Sequence, residues 1–277
     1  MNMLRFKAII IILCFSAMLG CHAPRRAESP TGRYFSIMTY NINRDLPDHA
    51  ATVALIKTHL PDIVVLQETN PMWESRLRTA LHNHYPYTQF KHHEYGGGLA
   101  ILSKFSFHTN AYLPSPADKY PAWLVQTETP IGPLQILAVH LHAPVNHERQ
   151  FTLNAWLTRG KDRLREIQSY LPAINPKQPH IILGDFNVHP NHDAARFLQQ
   201  HNYINALDEF HPYAHTWHQR IGLFQFSNQV DHIYYKSPLY CFDTFTLNGG
   251  GSDHQPLIGF FTVKPQAITK PSNPHSN

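Results

Sequence analysis

Ile181-Ile182-Leu183-Gly184-Asp185-Phe186-Asn187 is a short apolar run that stops on glycine, a carboxylate, a spacer and an amide. Branched apolar residues over so short a stretch predict a buried strand, with its polar end at a sheet edge. The same grammar recurs on either side. Ile63–Leu66 runs into Gln67-Glu68, Ile37–Tyr40 into Asn41, and Ala138-Val139 into His140. Val230-Asp231-His232-Ile233 sets an acid inside an alternating strand, and Ser252-Asp253-His254 stands just before the apolar run Leu257–Val263. One polar group behind an apolar strand is an ordinary exit to solvent. Six such ends, all drawn from Asn, Asp, Glu and His, point to strands converging on one cleft.

Further strands are read at Phe35–Tyr40, Leu99–Leu102, Leu124–Thr127 and Leu134–His140, and helices at Asp48–His59, Glu74–His84, Lys161–Leu171 and Ala194–Gln200. Strands mostly succeed strands, which favours an α+β layered sandwich over a doubly wound parallel sheet. With 43% apolar and only 15% charged residues, the 277-residue chain is neither an acidic disordered segment nor a charged coiled coil. Residues 34–263 are expected to form one domain, and no fixed-period repeat is found within them.

Both ends read differently. Arg5 and Lys7 precede the apolar run Ala8–Leu19, which is too short for a bilayer span of about 20 residues but fits a signal segment. Met18-Leu19-Gly20-Cys21 is similar to a bacterial lipobox, so residues 1–21 are expected to be a signal peptide that leaves Cys21 lipidated; ordinary cleavage would leave a secreted protein. Residues 22–33 read as a polar linker, and 264–277, with three prolines, as a disordered tail. Losing residues 1–20 takes two cations from the net charge of +4 and leaves +2, too little to announce nucleic-acid binding by charge alone. With Cys14 removed and Cys21 lipidated, Cys241 has no disulfide partner. The 21 histidines make the charge strongly dependent on pH.

Carboxylate and amide oxygens suit a hard cation, Mg²⁺ or Mn²⁺, which keeps several waters and binds substrate phosphate. The sequence has no Gly-x-Ser-x-Gly, no phosphate-binding Gly-x4-Gly-Lys-Ser/Thr loop and no His-Glu-x-x-His. Tyr40-Asn41-Ile42-Asn43, Leu66-Gln67-Glu68-Thr69, Gly98–Ser103, Val139-His140-Leu141, Gly184-Asp185-Phe186-Asn187, Val230–Ile233 and Ser252-Asp253-His254 together resemble the endonuclease/exonuclease/phosphatase superfamily, with its DNase I-like fold. The resemblance implies a four-layer α/β/β/α sandwich, two packed β-sheets with helices outside and the site at one rim. It implies Glu68 as the main metal ligand, helped by Asn41 and Asp253. Asp185 would orient or deprotonate the attacking water, and Asn187 would hold phosphate or a second metal. His254 would pair with Asp231, and His140 would contact the phosphate or protonate the leaving oxygen.

The departures bear on substrate. No acid stands in Gly97-Gly98-Leu99 where a DNase I-type enzyme pairs its first histidine, and Glu94 is a loose substitute. The minor-groove arginine after the metal-binding glutamate is replaced by Thr69-Asn70-Pro71, and His140-Leu141-His142 replaces the Tyr-x-Pro of abasic-site endonucleases. The expected activity is Mg²⁺-dependent hydrolysis of phosphoesters, with a nuclease-like phosphodiesterase outside the cytoplasm placed first. The second reading is a phospholipid (sphingomyelinase-like) or inositol-phosphate hydrolase. The third, an inactive binding module, is opposed by the intact Glu68, Asp185, Asn187, Asp231 and His254. The partners expected are a phosphoester substrate, nucleic acid before lipid headgroup, and a membrane through the N-terminal lipid; the chain itself is expected to be a monomer. Several other readings are local ones. His142 is expected to be surface or packing, Leu223-Phe224-Gln225-Phe226 to pack in the core, Gly96-Gly97-Gly98 to serve tight backbone packing, and His189, His192, His215 and His218 to be solvated.

Overall fold

Residues 24–28, 32–144, 158–221 and 223–264 are described by the structure, a computed structural model. The expected signal segment and lipobox at 1–21, and all but the first residue of the expected tail, lie outside them. Two six-stranded sheets are stacked face to face. One has the order β13-β14-β1-β2-β4-β3, from β1 (Phe35–Asn41), β2 (Ile63–Gln67), β3 (Tyr87–Lys91), β4 (Leu99–Ser103), β13 (Leu239–Thr246) and β14 (Leu257–Val263). The other has the order β5-β6-β7-β8-β12-β9, from β5 (Phe107–Leu113), β6 (Ala122–Thr129), β7 (Gly132–His140), β8 (His180–Asp185), β9 (Ile204–Asn205) and β12 (Asp231–Tyr235).

Strand alternation builds the layers. Phe35, Ile37, Val65, Leu99 and Ile101 of the first sheet meet Val125, Ile136, Leu183 and Ile233 of the second in the central core. The alternate residues Met38, Tyr40, Val64 and Leu66 face outward onto α1 (Ala50–His59) and α2 (Pro71–Leu81) through Leu55, Ile56, Trp73, Leu77 and Leu81. Leu137, Val139, Ile182 and Tyr234 face outward on the other side, onto α3 (Gly160–Tyr170) and α4 (Asp193–Gln200) through Ile167, Tyr170, Ala194 and Leu198. Helix, sheet, sheet, helix is the four-layer sandwich expected. The central strands β1, β2, β4, β8 and β12 are buried at every residue, which explains the apolar runs within β2, β4 and β8. Helix α2 starts where the sequence provides a cap and a proline: the Asn70 side chain accepts from Trp73 N at 2.9 Å, and Pro71 takes the first turn.

Three parts depart from simple expectation. Residues 24–28 are seated on the fold, with Arg25 N bonded to Glu209 O and Glu28 N to Phe242 O, where α5 (Ala206–Phe210) meets β13. The half-exposed edge strands β3 and β5 lack an apolar run and are not visible in the sequence. Leu223, Phe224 and Phe226 are exposed on a separate two-stranded hairpin, β10 (Trp217–Ile221) and β11 (Phe224–Asn228), so the expectation of core packing is corrected. The hairpin belongs to neither sheet: its strands pair with each other, and a single bridge from Trp217 to His254 ties its base to the rim, leaving the tip side chains without a layer to enter.

Candidate active site

Each sheet has a parallel pair at its centre, β1–β2 and β7–β8, and all four of these strands end at one rim. Carboxyl ends of parallel neighbours share an edge, which is where open sheets collect their ligands. Here they deliver Asn41, Glu68 just beyond β2, His140 and Asp185. Asn41 joins the sheets: its Nδ2 donates to Asp185 Oδ2 at 3.0 Å and to Glu68 Oε1 at 3.2 Å. The antiparallel register of β12 on β8 sets Asp231 directly opposite Asp185.

The Gly-Asp step is fixed by sterics. Gly184 has φ 144°, and a Cβ there would lie 1.8 Å from Val139 O, so only glycine lets β8 approach β7 immediately before the Asp185 carboxylate. The glycine run ahead of β4 serves close approach too, since a Cβ on Gly98 would lie 2.0 Å from Thr69 O. Glu68 (φ 61°) and Asn187 (φ 51°) occupy the left-handed region without being glycine. Strain of this kind, about 1 kcal/mol or more per residue, gathers where side chains must be aimed.

Asp185 is the hub. Its Oδ1 accepts from Asn187 N at 2.8 Å, and its Oδ2 faces His140 Nε2 at 3.6 Å and His254 Nε2 at 3.8 Å. His254 Nδ1 donates to Asp231 Oδ2 at 2.8 Å. Thr216 Oγ1 accepts from the backbone N–H of both Val230 and Asp231 at 2.9 Å, which fixes the carboxylate's strand. Asn187 Nδ2 donates to Leu141 O at 3.0 Å.

The two histidines are driven apart electrostatically. Burial lowers the pKa of His254, but Asp231 and then Asp185 outweigh it and push it up to about 10. It is an imidazolium at neutral pH. Burial dominates at His140 and takes it down to about 4, with Asp185 pulling upward and His254 downward. That ring is neutral, stacked on Tyr120 at 4.2 Å and 24°, with Nδ1 buried and unpartnered. Among the described residues no acid reaches Nδ1, in keeping with the missing carboxylate at Gly97-Gly98-Leu99; Glu94 lies exposed in a short 3-10 turn. Of the two roles that the resemblance implies for His140, contact with phosphate suits a neutral ring. Burial raises the pKa of Asp185, opposed by His254, reinforced by Asp231 and opposed again by His140, so its affinity for a proton is increased.

Two groups of side chains have the chemistry to hold a cation. Glu68 is half-buried, with Oε2 accepting from Arg44 N at 3.2 Å; together with Asn41 it offers oxygen ligands at the open rim. Asp253 joins them indirectly. Its Oδ1 accepts from Asn43 Nδ2 at 3.1 Å, Asn43 N donates to Asn41 Oδ1 at 3.1 Å, and Trp217 Nε1 donates to Asp253 Oδ2 at 3.0 Å. This all-oxygen set fits Mg²⁺ or Mn²⁺. The second group is buried: Asp185, Asp231 and His254 offer ligand atoms within 4.8 Å of one another. Asp231 Oδ1 there has no hydrogen-bond partner, but a protonated His254 has no lone pair to give a metal.

All eight residues expected at the site lie along this rim. Tyr120, Trp217 and Thr216 were not foreseen, because they act by stacking and hydrogen bonding and no sequence pattern distinguishes them from packing. His142 is buried, its N–H donating to Glu166 Oε2 at 2.9 Å, and is packing rather than surface.

A sandwich with this rim defines a protein of the DNase I-like class. The family model for the Endonuclease/Exonuclease/phosphatase family matches residues 38–254, and the chain belongs to that family, whose members are in general hydrolases of phosphoester bonds. Similar solved structures include an endonuclease/exonuclease/phosphatase from Beutenbergia cavernae (17% identity, TM-score 0.63, covering 83% of this chain and 72% of that one). D. rerio TDP2 complexed with single-strand DNA product is 15% identical with TM-score 0.63, covering 83% of this chain and 99% of that one. An AP endonuclease from Archaeoglobus fulgidus is 17% identical with TM-score 0.59, covering 81% and 98%. No curated protein matches the sequence.

Proposed function

We propose that this chain is a Mg²⁺-dependent phosphodiesterase, with Mn²⁺ able to substitute, that acts outside the cytoplasm and prefers flexible or single-stranded nucleic acid. One observation carries the reading: a single carboxylate, Asp185, within reach of Asn41, of a neutral His140 and of a His254 held cationic by Asp231. Asp185, with its raised pKa, accepts the proton of the attacking water. The N–H groups of His140 and Asn187 hold phosphate oxygens, and the His254 imidazolium stabilises charge as it develops on them. Glu68 and Asn41, with Asp253 behind Asn43, would hold Mg²⁺, which when bound neutralises charge on the phosphoryl oxygens. A preference for flexible strands follows from the missing minor-groove arginine and the small net charge. The single-strand product bound by the D. rerio neighbour favours the same reading. The basic-then-apolar start and Cys21 support export with a lipid anchor.

The exposed hairpin beside the site favours a second reading, hydrolysis of a phospholipid or inositol-phosphate headgroup. The test is a substrate panel under saturating Mg²⁺: single- and double-stranded DNA, RNA, sphingomyelin, phosphoinositides and a generic phosphodiester. Glu68→Ala and Asp185→Ala should each abolish turnover with the fold retained. Full activity after chelation would sink the cation assignment, and turnover of lipid alone would promote the second reading.

A further inference from the structure

The β10–β11 hairpin divides its side chains cleanly. Its register places Gln219 opposite Phe226 and Arg220 opposite Gln225. Alternation therefore puts Phe224 and Phe226 on one face with Gln219, and Arg220, Gln225, His218 and Ser227 on the other. Leu223, in the turn, is 91% exposed, Phe224 72% and Phe226 47%. Three large apolar groups together at one tip are beyond the scattered exposure normal for a surface. The base of the hairpin is fastened to the site, because Trp217 pairs with His254 in an isolated bridge and His218 N donates to Asp253 O at 2.8 Å. Whatever the tip engages is thereby held at a fixed orientation to Asp185 and His254.

We infer that this tip inserts into the surface of a lipid bilayer and docks the catalytic rim against it. The apolar face carries no charge, while Arg220 stands on the opposite face, the division that lets an element lie in the plane of an interface with a cation against anionic headgroups. A strand of nucleic acid asks for something else, aromatic faces with cations beside them along a groove, and a leucine at the extremity has no face on which a base can stack. The route of the chain supports the same occupant. Arg25 lies over the Phe210 ring at 4.8 Å and donates to Glu209, so the segment following the apolar 8–19 run and Cys21 joins the fold on α5. Helix α5 in turn feeds β10 through residues 211–216, where Tyr213 is 86% exposed. Helix α5 and β10 are thus consecutive in the chain, with Arg25 docked at the Cys241–Phe261 end of the first sheet and the hairpin at the rim end. This inference does not depend on which phosphoester is cleaved.

Every strand and helix described lies within residues 24–264, so a chain beginning at His22 keeps the whole fold and lacks the anchor that would mask the effect. It should co-sediment with vesicles of phosphatidylethanolamine and phosphatidylglycerol. The triple variant Leu223→Ser, Phe224→Ser, Phe226→Ser should partition on the order of 10²-fold less, because each side chain contributes apolar area to insertion. Its turnover of a soluble small phosphodiester should be unchanged, which certifies the fold. Arg220→Gln should weaken binding to these vesicles several-fold and leave binding to phosphatidylcholine alone as it was. The emission of Leu223→Trp should shift to the blue on vesicles and be quenched by brominated acyl chains. Equal sedimentation of wild type and triple variant, or unshifted emission, overturns the inference. So does a triple variant that loses affinity for a single-stranded oligonucleotide while the wild type ignores vesicles, since the face would then be a base-stacking platform.

Discussion

Glu166 on α3 gives the fold a pH dependence that a single substitution should remove. It is fully buried, its Oε1 accepting from Ser115 Oγ at 2.6 Å and its Oε2 from His142 N at 2.9 Å. Burial pushes its pKa from the ordinary 4.5 up to about 7, against the opposing pull of those two donors and of Arg163. A raised acid favours the protonated form in the folded state, so its contribution to stability is complete below about 4.5 and is lost as pH rises through about 7. At ~1.4 kcal/mol per pKa unit the shift corresponds to about 3 kcal/mol. Glu166→Gln keeps the acceptor for His142 N and offers an N–H to Ser115 Oγ, so it imitates the protonated acid and cannot ionise. Urea unfolding should find variant and wild type nearly equal at about pH 4.5 and the variant more stable by up to about 3 kcal/mol at about pH 8. Taking the difference between the two proteins cancels the titration of the many histidines. A difference that does not change with pH would refute the reasoning.

The Asp231–His254 pair should behave as one unit: Asp231→Asn and His254→Asn should each cost on the order of 10²–10⁴ in turnover and the double variant little more, whereas multiplying losses in the same assay would separate them. Gly184→Ala should destabilise by more than about 3 kcal/mol in urea unfolding, since its Cβ would meet Val139 O; a near-neutral result would show that β7 and β8 can separate freely. Cys21→Ala should abolish labelling by radioactive fatty acid, and unlabelled wild-type protein would reduce the lipobox to an ordinary signal.

The central strands were legible in the sequence because they are buried on both faces, and Ile181–Leu183 or Ile63–Leu66 can hardly be read otherwise. The edges were not, because β3 and β5 bury only part of their side chains and carry Thr, Gln, His and Asn among their apolar residues. Site residues were legible to the extent that their chemistry is rare behind a strand. Asp185, Asp231 and His254 announce themselves by type; the register of β12 on β8 brings the two acids together, and the bridge from Trp217 to His254 adds the histidine. Asn43 combines a turn former and a site residue: its φ of 53° makes a bend, and its amide holds Asp253. Leu223–Phe226 was misjudged because an apolar cluster in sequence says nothing about whether a second layer exists to cover it.

The bond between Asn43 and Asp253 spans 210 residues of chain, and its existence sets a clock. During synthesis Glu68, His140 and Asp185 are all made well before Ser252, Asp253 and His254, and β14 must then travel back to pair with β1. Until it does, the histidine that carries the positive charge is absent from the rim and the first sheet is open along β1. Contacts this distant form slowly, so the rim is completed late in folding. The rim therefore acquires its full charge constellation only after nearly all of the domain has emerged.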